Sequence, residues 1–277
     1  MMRIAITGGS GELGRTLIPY LIEQGHTTVS IDRASPPAGP PSAHRPEFLV
    51  ADTRDFGQFV ASIRGCDALI HLAAHRSPLN MIDHVVYTDN TVSSYNALSA
   101  AAALGIQRVC LASSINAIGG AFSRVPRYDY FPIDERHPTY AEDAYSLSKW
   151  VLEQQADAFA RRFEGMRIAS LRFHALVEQR EVAVGMVQRF GAMVSRHLWA
   201  YTSLKSASAA CLLALTADFS GHEAFYIVAG QTIAPELSLD LARQHYPETE
   251  IRGDLSGHAA FFDSRKAERM LGWQHQD

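Results

Sequence analysis

The sequence predicts a doubly wound parallel α/β fold, and three observations carry that expectation. Short runs rich in β-branched residues alternate with stretches whose apolar residues recur at helical spacing, the pattern of a parallel sheet covered by helices on both faces. A glycine-rich turn joins the first strand-like run to the first helical one. The chain has 277 residues, 47% hydrophobic and 19% charged, enough for one large domain or a large domain with a small appendage.

Arg3–Thr7 reads as a buried strand. Leu13, Leu17, Ile18, Leu21 and Ile22 follow at helical spacing and stop at Gly25. Residues 28–31 form a second strand. The proline-rich stretch 34–41 can continue neither element and is read as loop. Residues 48–51 form a third strand, Phe56, Phe59, Val60 and Ile63 mark a helix, and residues 68–72 form a fourth strand. A long helix over 84–104 leads to a fifth strand over 108–112. A loop of roughly thirty residues follows, with Arg124, Arg127, Tyr128, Tyr130 and Arg136; so long a segment in a compact domain is usually functional, and Arg124, Arg127, Tyr128 and Tyr130 either form a lid or belong to a solvated loop with snorkelling side chains. Residues 144–163 are helical and 166–171 form a sixth strand, after which the alternation weakens.

Composition narrows the function classes. Twenty-five Lys and Arg against twenty-nine Asp and Glu give a net charge of −4 without a basic run, so nothing favours a nucleic-acid partner. The most apolar run, residues 209–217, falls far short of the ~20 residues that span a bilayer, and with Met1-Met2-Arg3 leading straight into Ile4-Ala5-Ile6 no secretory signal is expected. Cys66, Cys110 and Cys211 are odd in number and widely spaced, against a disulfide framework or a zinc knuckle. His71 and His75 lie four apart but lack the glutamate of a metalloprotease helix, and no metal is expected. The expectation is a cytoplasmic protein without membrane contact.

The turn Thr7-Gly8-Gly9-Ser10-Gly11-Glu12-Leu13-Gly14 follows a strand and opens a helix. Glycines at 8, 11 and 14 let the backbone turn tightly, approach a pyrophosphate and pack the helix on the sheet, while the helix N-terminus offers unpaired amides to the anion. Asp32 ends the second strand eighteen residues after Gly14. A carboxylate there can bond the adenosine ribose hydroxyls and repels a 2′-phosphate. That favours NAD over NADP, with Arg33 beside it leaving NADP open. Asp52, at the end of the third strand, either meets the adenine amine or caps the helix beginning near Asp55.

Tyr145 and Lys149 stand four apart, so both project from one helix face. A phenol with a pKa near ~10 is a poor base at neutral pH, and a neighbouring ammonium lowers it. Ser114, after the fifth strand, can hydrogen-bond a substrate oxygen. Together the three make a proton-transfer device beside a nicotinamide.

With these motifs the chain resembles the extended, NAD-dependent epimerase/dehydratase branch of the short-chain dehydrogenase/reductase superfamily over nearly its whole length. The glycine turn, His71-Leu72-Ala73-Ala74, Ala112-Ser113-Ser114-Ile115-Asn116-Ala117-Ile118-Gly119, Tyr145 with Lys149, Asp263-Ser264-Arg265-Lys266-Ala267 and Leu271-Gly272-Trp273 carry the likeness. The resemblance implies a Rossmann-type doubly wound parallel sheet. Residues 1–171 would form the dinucleotide-binding domain, and 172–277 a small C-terminal substrate region interleaved with the sheet edge. It further implies cofactor contacts from Gly8, Gly11, Glu12, Leu13, Gly14, Asp32, Arg33, Asp52, Leu72, Ala73, Ala74, Asn90, Tyr145 and Lys149. Catalysis falls to Ser114, Tyr145 and Lys149, with Lys149 also holding the nicotinamide ribose, and the helices at 84–104 and 144–163 would pair in a homodimer.

Within that branch the chain is most similar to uronate dehydrogenases, which oxidise C1 of a hexuronic acid with NAD. Its shortness leaves little room for a nucleotide-sugar's nucleotide. Ile118-Gly119 stands where sugar-nucleotide epimerases carry Val-Tyr-Gly, and Arg172 matches the arginine that clamps the substrate carboxylate, although an arginine after this strand is frequent throughout the branch and could instead serve the fold or a phosphate. Ile115-Asn116 replaces Asn-His, and Arg76 replaces a small polar residue. The substrate-binding candidates are therefore Arg76, Ser114, Asn116, Tyr145, Arg172 and His174, for a sugar or sugar acid. An epimerase or dehydratase would use the same reacting residues, and a dinucleotide-sensing protein would keep the fold without the chemistry.

Overall fold

The computed structural model describes residues 1–34, 46–79 and 81–276. Of the proline-rich stretch read as loop, all but Ala34 lies outside the described residues.

In chain order the elements are β1 (Arg3–Thr7), α1 (Glu12–Glu23), β2 (Thr27–Asp32), β3 (Glu47–Val50), α2 (Phe56–Ile63), β4 (Ala68–His71), α3 (Asp83–Ala103), β5 (Arg108–Ser114), β6 (Tyr130–Phe131), α4 (Ala144–Arg162), β7 (Arg167–Phe173), β8 (Leu176–Val177), α5 (Arg180–Phe190), β9 (Thr202–Ser203), α6 (Leu204–Thr216), β10 (Gly221–Ile227), α7 (Ser238–His245), β11 (Glu250–Ile251) and α8 (Arg265–Leu271). Two 3₁₀ turns, Ile115–Ile118 and Gly191–His197, complete the set.

Seven strands form one sheet in the order β10-β7-β5-β4-β1-β2-β3, and every pairing in it is parallel. The order reverses at β1, which pairs β2 on one side and β4 on the other, with Thr7 in register with Ile31 and His71. Connections leave in opposite directions there, so a crevice opens beyond the strand ends.

The central strands are buried on both faces, which is why they read as continuous apolar runs rather than alternating ones. One face carries α1, α6 and α8 over a core that includes Leu17, Leu21, Cys211 and Trp273. The other carries α2, α3 and α4 over Phe59, Ile63, Leu98, Ala156 and Phe159. Truncating such a side chain, Phe59 for example, to alanine costs about 3–5 kcal/mol. A third core joins the loop after β5 to the C-terminal part of the chain through Tyr128, Phe131, Ile133, Trp199, Tyr226 and Phe261. Residues beyond 171 thus serve two places, because α6, β10 and α8 return to the main sheet. No described helix is long and apolar enough to cross a membrane.

Candidate active site

A cleft of about 930 Å³ lies along the C-terminal ends of the sheet strands. Its first wall is the turn after β1. Gly8 sits at φ +69°, and a Cβ there would come within 2.8 Å of the Ala73 amide nitrogen. Only glycine lets this turn close against the strand-four loop. The N-cap of α1 is Gly11, so no side chain occupies the amides of the first helical turn. Gly11, Glu12, Leu13 and Gly14 line the cleft at that point, an arrangement that fits a dinucleotide pyrophosphate.

At the end of β2, Asp32 accepts the amides of Ser10 at 3.1 Å and Arg33 at 2.8 Å, and both Asp32 and Arg33 face the cleft. The carboxylate is thus held in place at the cleft wall by two backbone amides. Asp52 also lines the cleft, gripped by Arg54 at 2.6 Å; hydrogen bonds from that guanidinium outweigh partial burial and hold its carboxyl below the usual range. It is not the cap of α2. Asp55 is, accepting the Gln58 amide at 3.0 Å, so the capping alternative for Asp52 is corrected. Arg54 reaches on to Asp89 at 2.9 Å, and Asp89 to His75 at 2.9 Å.

Leu72, Ala73 and Ala74 form the cleft wall beyond β4. Behind them Asn90 accepts the His75 amide at 2.8 Å and donates to the His75 carbonyl at 3.1 Å and Ser148 Oγ at 3.0 Å. One buried amide therefore ties this loop to α4, and Asn90 lines the cleft as well.

Ser114 ends β5, where its Oγ accepts the Asn116 amide at 3.1 Å. Asn116 turns its own Oδ1 to the Ala121 amide at 3.2 Å. Tyr145 and Lys149 lie on the first turns of α4, which Asp143 caps by accepting the Ser146 amide. The Tyr145 phenol is pushed up by burial, while a hydrogen bond with Ser114 and the charge of Arg76 pull the other way. The Lys149 ammonium donates to the Ala112 carbonyl at 2.6 Å and stands 5.7 Å from the centre of the Tyr145 ring. The lowering of the phenol by the lysine, expected from their spacing, is not found: burial leaves Tyr145 above the usual phenol range. Lys149 itself is brought down to about 8 by burial, partly offset by Glu153.

Arg172 lies elsewhere and requires a correction. Phe173, its neighbour on β7, lines the cleft, whereas Arg172 faces the α4 side of the sheet and binds Glu153 at 2.9 and 2.7 Å and the Tyr226 hydroxyl at 3.2 Å. Alternation along the strand sends the two side chains to opposite faces. Arg172 is not a carboxylate clamp. His174 and Arg76 do line the cleft, Arg76 paired across its mouth with Glu12 at 2.8 Å. The lid expectation also changes. Arg124, Arg127, Tyr128 and Tyr130 do not line the cleft; Tyr128 is packed in the third core and Arg127 stacks on Tyr140. Phe122, from the same loop, does line it, as does His197, and neither bears a motif that could have marked it in the sequence.

A model of the NAD dependent epimerase/dehydratase family matches residues 4–196. The chain belongs to this family. Over its full length it is 24% identical to UDP-glucose 4-epimerase of Corynebacterium glutamicum, covering 92% of that protein. Over 182 residues, 62% of this chain and 61% of the relative, it is 28% identical to dTDP-6-deoxy-L-talose 4-dehydrogenase (NAD(+)) of Aggregatibacter actinomycetemcomitans. It spans about half the length of two other curated relatives, 47% of one from Synechocystis sp. and 57% of one from Methanocaldococcus jannaschii. A short-chain dehydrogenase/reductase superfamily protein from Agrobacterium tumefaciens with bound NAD shares the fold, at a TM-score of 0.74 and 21% identity over 99% of this chain and 93% of that one. A mutated uronate dehydrogenase shares it at a TM-score of 0.71 and 22% identity over 100% and 82%.

Proposed function

We propose that the protein oxidises a hydroxyl of an uncharged sugar or sugar-derived substrate with NAD. The observation that carries this reading is that Ser114, Tyr145 and Lys149 line one cleft together, Lys149 one helical turn beyond Tyr145 on α4. Bound NAD supplies a carbon that accepts hydride. Ser114 orients the reacting oxygen, Tyr145 takes its proton, and Lys149 holds a positive charge beneath the site. Asp32 favours NAD over NADP by repelling a 2′-phosphate.

The substrate reading rests on where the charges are spent. Arg172 is held by Glu153, Arg76 by Glu12, and Arg196 by the carbonyls of Ser123 and Arg124. The groups around the reacting end, Ser114, Asn116, Phe122 and His197, suit hydroxyls and a sugar face rather than a carboxylate. A homodimer through α3 and α4 belongs to the same reading, since α3 exposes Tyr87, Val92 and Tyr95.

The test is NADH absorbance with NAD or NADP and a panel of neutral aldoses, polyols, hexuronic acids and aldonates. NADH formation with neutral sugars, lost by 10²-fold or more in Tyr145→Phe, is the expected result. Activity confined to acids would overturn the substrate class. A silent panel with NAD retained on the purified protein would overturn the oxidation and favour an epimerase.

A further inference from the structure

Behind the cleft lies a buried ionic cluster that the proposed chemistry does not use. Glu153 and Arg172 are both almost completely buried, 4% and 6% exposed, and joined by two hydrogen bonds. Ser113 joins the pair, its Oγ donating at 2.6 Å to Oε1, the oxygen of Glu153 that also accepts Arg172 Nε. Ser113 is in register with Arg172 across β5 and β7, so the three side chains meet on one face of the sheet. Lys149 lies one turn before Glu153 on α4 and bonds the Ala112 carbonyl at 2.6 Å. Two consecutive turns of α4 therefore grip two consecutive residues of β5, Lys149 on Ala112 and Glu153 on Ser113. The residues just beyond these grips are Tyr145 and Ser114, the reacting pair.

We propose that Glu153 is a positioning residue: its carboxylate ties the strand bearing Ser114 to the helix bearing Tyr145 and Lys149, and is the fixed counter-anion of Lys149. Arg172 keeps that carboxylate ionised instead of binding substrate. An isolated carboxylate in such a site would be neutral. Here burial pushes Glu153 up, but the charge of Arg172 and the hydrogen bonds of Arg172 and Ser113 more than offset it. The other titratable groups shown beside Lys149 are Tyr145 on its own helix and His71 from β4, while Arg172 from β7 bonds Glu153. Burial holds His71 uncharged, leaving Glu153 as the anion of the set.

This assignment rests on the role given above to Tyr145, Lys149 and Ser114, yet its test needs no substrate or turnover. The chain has only three lysines, Lys149, Lys205 and Lys266, so the Nζ resonances of ¹⁵N-lysine-labelled full-length protein can be followed one by one with pH. The charge-balanced double variant Glu153→Gln/Arg172→Gln is expected to shift the Lys149 midpoint down by at least one pH unit, a tenfold change, with Lys205 and Lys266 unmoved. Glu153→Asp keeps the anion while shortening its reach to Ser113, and is expected to leave Lys149 within half a unit of the parent. A Lys149 midpoint unchanged in the folded double variant would overturn the proposal. So would a drop of a full unit in Glu153→Asp, the arm that decides the matter if the double variant does not fold.

Discussion

His174 donates its Nε2 hydrogen to the backbone carbonyl of His197, 2.9 Å away, while its Nδ1 accepts the Ala175 amide at 2.6 Å. Both ring nitrogens of His174 are spent on backbone, and what they hold in place is the end of the 3₁₀ turn carrying His197. The His197 ring meets Phe122 edge-on at 6.3 Å, and Phe122 meets Tyr145 edge-on at 5.8 Å. Phe122 and His197, 75 residues apart in sequence, thus set the wall facing Tyr145. Removing one hydrogen bond to substrate costs about 0.5–1.5 kcal/mol, so His197→Ala is expected to raise KM for the sugar about 2- to 10-fold with kcat little changed. Fluorescence titration with NADH should give the parent affinity. An equal loss of NADH affinity would remove His197 from the substrate end.

His71 and His174 make the fold sensitive to acid. Burial lowers each to about 3, the charges of Lys149 and His197 acting in the same direction. Unfolded histidine titrates near ~6.5, so between that value and about 3 the unfolded chain binds two protons that the native one refuses. The stability from these neutral rings is fully present above about pH 6.5 and is lost as pH falls. The linkage slope is about 2.7 kcal/mol per pH unit for two protons. Chemical denaturation at pH 7, 6 and 5 should show it, with the slope roughly halved in His174→Asn. A flat profile over that range would mean that these rings are protonated in the native state.

The parts of the site legible in the sequence are those whose chemistry is local. The glycine turn, Asp32 at a strand end and the Tyr145–Lys149 spacing each lie within a single strand, turn or helix, and the cleft brings them together. Phe122 and His197 had no such mark, because only the third core carries the 3₁₀ turn back beside the loop after β5. Arg172 failed for a different reason. Position after a strand was taken from family likeness, whereas parity along the strand decides the face. Leu171 and Phe173 pack in the core under α1 and α6, which leaves Arg172 on the α4 side with Glu153. Strand β10 was missed since its first four residues, Gly221 to Ala224, are only half-buried and carry a histidine and a glutamate.

Asp32 should decide between the two dinucleotides. Its carboxylate is fixed by two backbone amides and needs no rearrangement to meet a ribose. Hydrogen bonds to a charged group contribute about 1.5–3 kcal/mol. Asp32→Ala is therefore expected to weaken NADH binding by about 10–100-fold. It should weaken NADPH binding less, since the same change removes repulsion from a 2′-phosphate and Arg33 stays beside it. Parallel titrations with the two reduced cofactors measure the ratio. A variant that loses affinity for both equally would place the adenosine away from the end of β2.

Arg172 separates a structural from a substrate-binding role most sharply. Arg172→Met strands Glu153 without its partner, and breaking a buried pair on one side costs about 3–5 kcal/mol. For a chain of this length that lowers Tm on the order of 10 °C. Replacing both partners by apolar residues, as in Arg172→Met/Glu153→Leu, should recover most of the loss, because no uncompensated charge is left. If Arg172 instead oriented a substrate carboxylate, Arg172→Met would selectively abolish activity on acids while that on neutral sugars survived. With the guanidinium committed to Glu153 and Tyr226, both substrate classes should fall together, and the ratio of their kcat/KM values should stay within about threefold of the parent.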